Sequence, residues 1–217
     1  MTLPGARATV LAMLAVVFGT SCSGKSTQAA LLADLLPDVG VHDWDEVGGS
    51  SPPASWWRRG TREWIERARD GDRDVLVLGG VPGEILAAPG AIELDGLAFC
   101  LLDCTDEERV RRLREREWKD PLSPQQLWHH VVWGVWLRFH AADPSWWAGP
   151  IRRDDDGYVW ARWESWAAGD PRWQIERVDT TDRPPEETAR TLAAWFRARQ
   201  SERDSGTLPL WGEWWRA

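Results

Sequence analysis

The stretch VVFGTSCSGKST, residues 16–27, decides how the rest of this chain is read. It supports two incompatible readings. As an apolar run ending at Cys22, it resembles the end of a secretory or lipoprotein leader, with one arginine and an apolar stretch before it. As a strand running into Gly19, four further residues, then Gly24, Lys25 and Ser26, it is a phosphate-binding loop. The lipoprotein reading wants leucine three residues before Cys22, and Gly19 stands there. The loop reading needs a buried strand before it, supplied by residues 8–18 with Val10, Leu11, Leu14, Val16 and Val17. It also needs a helix after it, supplied by STQAALLADLL with Ala29, Leu32 and Leu36 on one face. The chain has only two lysines, Lys25 and Lys119, and one of them falls at the required position. The loop reading prevails. It makes residues 8–18 a central strand that is retained, and the cytoplasm the expected location.

The residue types follow from the chemistry. Gly19 and Gly24 let the backbone curl so that successive N–H groups across Thr20, Ser21, Cys22 and Ser23 point inward at phosphate oxygens. The following helix adds its positive end. Lys25 reaches the β- and γ-phosphates, the Ser26 hydroxyl takes a place on Mg²⁺, and Thr27 supports the first helical turn.

Composition sets limits. The 217 residues suit one domain with a sizeable core, and 34 acidic against 26 basic residues give a net charge of −8. That balance argues against nucleic acid as a partner, and no apolar run is long enough to span a membrane. Three cysteines do not make a disulfide framework, and Cys100 and Cys104 in FCLLDC read as buried thiols. His129 and His130 lack acidic or thiol partners at ligand spacing. RRDDDG (152–157) lacks the spacing of a calcium loop.

The remainder alternates strands and helices. VGVHDWDEV (39–47) is a short second strand ending in acids, and TREWIERARDG (61–71) is a helix with Trp64, Ile65 and Ala68 as its stripe. DVLVLGG (74–80) and LAFCLLD (97–103) are unbroken apolar runs, as strands covered on both faces should be. A helix follows from a capping box at Thr105 and Glu108, and a longer one from Ser123, Pro124 and Gln126. The longer helix is expected to bury Trp128, Val131, Val132, Val135 and Phe139, to be interrupted at Gly134, and to stop at Asp143-Pro144. RWQIERVDT (172–180) alternates as a half-exposed strand, and PPEETARTLAAWFRAR is a closing helix. Residues 201–217 read as a loose tail.

On these residues the chain resembles the P-loop small-molecule kinases, such as shikimate and gluconate kinases, over about 1–118 and 172–200. The resemblance implies an α/β fold, a doubly wound parallel five-stranded sheet in the order 2-3-1-4-5. It implies ATP and Mg²⁺ as cofactors and a small-molecule acceptor as partner, for a monomer or homodimer. Within HDWDE it makes Asp43 the metal-side carboxylate and Asp45 the base facing the acceptor hydroxyl. It sets Gly79 and Gly80 beside the substrate and makes Arg112 and Arg116 lid arginines that touch phosphates. It assigns Asp179 and Thr180 in VDTT to the adenine side. Two features depart from the family pattern. The third strand ends in Gly79-Gly80 instead of an acid, with Asp74 at its other end, and residues 119–171 form a tryptophan-rich, mainly helical insert with no counterpart.

Each assignment has a plainer counterpart. One of Asp43 and Asp45 could simply be a cap or part of a solvated turn at the strand end. Arg109, Arg111, Arg112, Arg114 and Arg116 could be a solvated face paired with Glu107, Glu108, Glu115 and Glu117. Most tryptophans read as core, some between Trp146 and Trp166 as walls of an apolar or planar acceptor pocket. Three function classes compete: a small-molecule kinase, an NTP-hydrolysing ATPase, and a nucleotide-binding module without turnover. A GTPase of the usual kind is excluded because its guanine motif needs asparagine and this chain has none. The ABC-type signature is absent as well. The acid pair and the lid-like arginines favour the kinase.

Overall fold

The computed structural model describes residues 12–47, 56–116, 121–152 and 157–216. Strand β1 (Met13–Phe18) is buried along its whole length. It pairs in parallel with β3 (Val75–Leu78) on one side and β4 (Gly96–Asp103) on the other. Strand β2 (Gly40–Asp43) lies outside β3, and β5 (Ile175–Asp179) outside β4, which gives the order β2-β3-β1-β4-β5. This is the order expected from the sequence.

The two-residue period of β1 divides the core. Leu14, Val16 and Phe18 face one hydrophobic layer, which also holds Trp64, Ile65 and Trp163. Met13, Ala15 and Val17 face the other, closed by Leu32, Leu36, Leu192 and Phe196. Helices α1 (Lys25–Leu35) and α6 (Pro185–Asp204) cover the second face. Helix α2 (Trp56–Asp70), the short α3 (Pro82–Ala87) and part of α5 (Pro124–Ala142) cover the first. Helix α4 (Asp106–Glu115) opens on the Thr105 cap, whose Oγ1 accepts from Glu108 N. Both halves of the Ser123/Gln126 capping box at the start of α5 are formed.

Residues 1–11, including the early part of the expected first strand, lie outside the described residues, as do 117–120 and 153–156 with most of RRDDDG. Within the described residues several expectations require correction. β2 stops at Asp43, and residues Trp44–Val47 form a 3-10 turn. The cause is local: Asp43 Oδ1 accepts from Asp45 N at 3.1 Å, and Glu46 folds back onto Asp43 N at 2.9 Å. Helix α5 is continuous through Gly134. A Cβ at Gly134 would lie 2.9 Å from Arg109 Nε, so this glycine admits a guanidinium instead of breaking the helix. The buried face of α5 is also rotated from the expected one: Gly134, Trp136, Leu137 and His140 point inward, whereas Trp128, Val132 and Phe139 are exposed. Trp136 stacks on His140 at 4.7 Å, and the edges of Trp163 and Trp173 close that cluster, so aromatic packing chose the face.

The expected loose tail is ordered. After α6, Leu208 is buried, β6 (Leu210–Trp211) pairs antiparallel with Gly96 and Leu97 of β4, and Trp214 is buried. Asp74 receives Met13 N at 2.8 Å, Gln200 Nε2 at 2.6 Å and the Arg203 guanidinium, a purely structural set of partners. Among the described residues no helix is long and apolar enough to cross a membrane.

Candidate functional site

A cleft of about 1340 Å³ opens at the carboxyl ends of the strands. Its floor is the loop between β1 and α1. A Cβ at Gly19 would collide with the Leu102 carbonyl and lie 2.7 Å from Ser23 Oγ, so only glycine fits. Cys22 and Gly24 take positive φ (62° and 103°), which turns the backbone inward. Gly24 stands at the N-cap of α1 and offers no side-chain cap, leaving first-turn N–H groups for a ligand. Ser26 and Thr27 are exposed in that first turn, and Ser21 also borders the cleft.

Lys25 folds back over this loop, its Nζ donating to Gly19 O at 2.8 Å and Thr20 O at 3.0 Å. Burial pulls its pKa down to about 8, while the carboxylates of Asp43 and Asp45 pull it up. Asp45 shows the complementary effect. Burial and then the neighbouring Asp43 charge raise its pKa, against the fields of Lys25 and Arg116. The phosphate loop and both acids therefore act on one another across a single cavity. β2 ends at Asp43 and Asp45 lies in the 3-10 turn that follows, and both acids border the cleft.

The arginines divide. Arg112 donates to the Cys22 carbonyl at 3.3 Å, to Thr180 Oγ1 at 3.0 Å and to Thr180 O at 2.6 Å. It ties the phosphate loop to the segment after β5. Thr180 Oγ1 donates in turn to Ser23 O (3.3 Å) and Asp103 O (3.1 Å). Arg116 is exposed on the cleft wall, and its charge acts on both Lys25 and Asp45. Arg111 is bound to Glu108 and Glu115, the solvated pairing described above. Arg109 departs from it: fully buried, it meets Asp103 Oδ1 at 2.5 Å, while Asp103 Oδ2 accepts from Arg138 Nε at 2.7 Å and from Arg177 Nη2 at 2.9 Å. This carboxylate with three arginines was not foreseen. Its signal was Asp103 closing an apolar strand.

The remaining sequence candidates are Asp179 and the glycine pair. Asp179 is absent from the cleft wall, its Oδ1 accepting from Thr181 N and Oγ1; Thr181 borders the cleft in its place. Gly79 and Gly80 do border the cleft, but their positive φ (148° and 89°) serves the packing of Trp44 against them. Of the tryptophans between Trp146 and Trp166, only Trp147 borders the cleft; Trp160, Trp163 and Trp166 are buried. Among the described residues, the other indoles on the wall belong to Trp44, Trp57, Trp133 and Trp136.

No protein-family model matches this chain, and no curated protein matches it in sequence. Solved structures do match. Shikimate kinase from Acinetobacter baumannii in complex with shikimate aligns over 88% of this chain and 96% of its own, with TM-score 0.50 and 15% identity. The fold is that of the P-loop small-molecule kinases. A gluconokinase from Sinorhizobium meliloti aligns over 88% of this chain and 97% of its own, at TM-score 0.48 and 14% identity. Within this kinase fold, β6 is an addition to the five parallel strands.

Proposed function

We propose that the protein transfers the γ-phosphoryl group of ATP to a hydroxyl of a small molecule. The observation carrying this reading is that Lys25, Asp43 and Asp45 line one cleft, near enough for both acids to raise the pKa of the lysine against its burial. A phosphate-holding cation thus stands opposite a carboxylate of raised basicity. In the proposed step the acceptor oxygen bonds to the γ-phosphorus as the bond to the β–γ bridging oxygen breaks. The hydroxyl proton passes to Asp45, and ADP leaves with its charge met by Lys25 and Arg116.

The donor set also suits Mg²⁺. Ser26 and Asp43 are hard oxygen donors, and among the described residues no group of three His, Cys, Asp or Glu side chains could hold a metal by itself. Such a site leaves most positions to phosphate oxygens and water, as Mg²⁺ prefers. When bound, the ion neutralises charge on the phosphates. With ATP as donor, the compartment we propose is the cytoplasm, with residues 119–171 covering the acceptor side. A second reading, nucleotide binding without an acceptor, draws on Gly79-Gly80 where β3 would otherwise end in an acid.

The test is incubation with ATP·Mg²⁺ and a metabolite extract, searching by mass for a compound gaining one phosphate. Lys25→Ala should lose nucleotide binding with the fold intact. Asp43→Asn and Asp45→Asn should keep it, and at least one should lose about a hundred- to ten-thousand-fold in transfer. Parent rates in both acid variants would refute the roles given to the pair.

A further inference from the structure

We infer that the acceptor is a flat, largely apolar ring compound carrying a hydroxyl, not a polyol or a sugar acid. This rests on the kinase reading above and concerns the aromatic wall of the cleft.

Among the described residues the cleft is lined by the indoles of Trp44, Trp57, Trp133, Trp136 and Trp147, and by Val81, Leu137 and Ile151. Core packing accounts for Trp44 and Trp136, which are buried, but not for Trp57 and Trp147, which are 43% and 65% exposed. Large apolar surfaces left open inside a concave site are the mark of a binding wall. Trp147 is also held there at a cost. Its backbone sits at φ 32°, a conformation that costs an L side chain about 1–2 kcal/mol. Trp136 Nε1 donates to Trp147 O at 3.0 Å and fixes that turn to α5. Gly149 leaves room for the displayed ring, since a Cβ there would lie 3.0 Å from Trp147 Nε1.

The flat faces left for a ligand belong to the exposed rings of Trp57 and Trp147. Behind them the other indoles are packed: Trp136 stacks on both Trp133 and His140, each at 4.7 Å, and Trp44 lies 5.9 Å from Trp57 at 34°. A planar ring laid on such faces replaces water over most of its area.

Among the described residues, the polar groups beside these indoles are few for a polyol. Each hydroxyl of a buried polyol needs its own donor or acceptor, or it loses the hydrogen bonds water gave it. Asp43 and Asp45 serve one hydroxyl at the phosphate end. Beyond them the wall offers Arg58 and Glu84, and Glu84 already accepts from Thr61 Oγ1 at 3.1 Å. His129 and His130 also border the cleft, and the His130 backbone meets Thr20 of the phosphate loop. One reacting hydroxyl on an apolar ring system fits this distribution.

The experiment offers the full-length protein ATP·Mg²⁺ with naphthylethanol or phenylpropanol, and in parallel with gluconate, shikimate or glucose. Phosphate gain is read by mass, and binding by saturation-transfer NMR. The expected result is transfer to the ring alcohols and none to the polyols. Trp147→Ala should weaken ring-alcohol binding about tenfold, with ATP binding unchanged. Transfer to the polyols alone overturns this inference and leaves the kinase reading standing. If nothing gains phosphate, the kinase reading suffers, and the NMR arm still decides this one. Saturable naphthylethanol binding weakened by Trp147→Ala supports the ring site, and no binding, or binding indifferent to Trp147, overturns it.

Discussion

The indole of Trp44 occupies the space that a side chain at Gly80 would need. A Cβ at Gly80 would fall 2.6 Å from Trp44 Cζ3, and the backbone there already holds φ 89°. The ring therefore sets the shape of the chain leaving β3.

Gly80→Ala should thus cost about 2–4 kcal/mol, combining backbone strain with overpacking. In a Trp44→Leu background the overpacking part should vanish and only the strain remain. Urea denaturation of the four proteins of this cycle measures the coupling. Equal penalties in both backgrounds would show that the indole and the glycine are independent.

Lys25 predicts a proton linkage. With its pKa near 8 in the free loop, the amine is largely neutral at about pH 9, and phosphate oxygens favour its charged form. ATP binding at about pH 9 should take up roughly one proton, and at about pH 6.5 none. Calorimetry in buffers of different ionisation enthalpy reads this directly. Uptake that does not grow with pH would contradict the burial of this lysine.

Asp103 holds Arg109, Arg138 and Arg177 together. Asp103→Ala leaves Arg109 charged and buried, and should destabilise by about 3–5 kcal/mol. Adding Arg109→Met should recover part of that loss, because the stranded charge leaves with it. No recovery in thermal unfolding would mean that the cost lies in packing.

His140 is fully buried, and both of its ring nitrogens lack a hydrogen-bond partner. Burial drops its pKa from 6.5 to about 3, opposed by Asp143. The folded state thus binds fewer protons than the unfolded chain between these values. Stability from this site is complete above 6.5 and drains away as pH falls towards 3. His140→Phe should flatten the acid limb of a stability–pH curve. An unchanged limb would assign acid sensitivity to carboxylates alone.

What the sequence disclosed follows from how local each signal is. The loop around Lys25 is a contiguous motif, and the parallel order follows from apolar runs, so both were legible. The inward face of α5 was not. Its Trp128, Val132 and Phe139 keep helical spacing as well as the true core residues do, and only the partners Trp163 and Trp173, distant in sequence, choose between them. Arg109 looked like its neighbours because nothing nearby in sequence reveals the space at Gly134. The cap by which Asp43 ends β2 was local, but it competed with an alternating pattern that suited a strand. Leu208, Leu210 and Trp214 were apolar residues in a polar setting, a signal obscured by the serines and glycines around them.

Asp74 gathers segments made at different moments. Its partners lie 61 residues earlier at Met13 and 126 and 129 residues later at Gln200 and Arg203. At ribosomal speeds of about 5–20 residues per second, its carboxylate waits roughly 6–25 s for the last of them. Throughout that interval the growing sheet lacks α6 over one face and β6 beside β4, so apolar strands meet the cell before their cover is synthesised. The nascent chain, more than the finished protein, is where aggregation and chaperone capture compete.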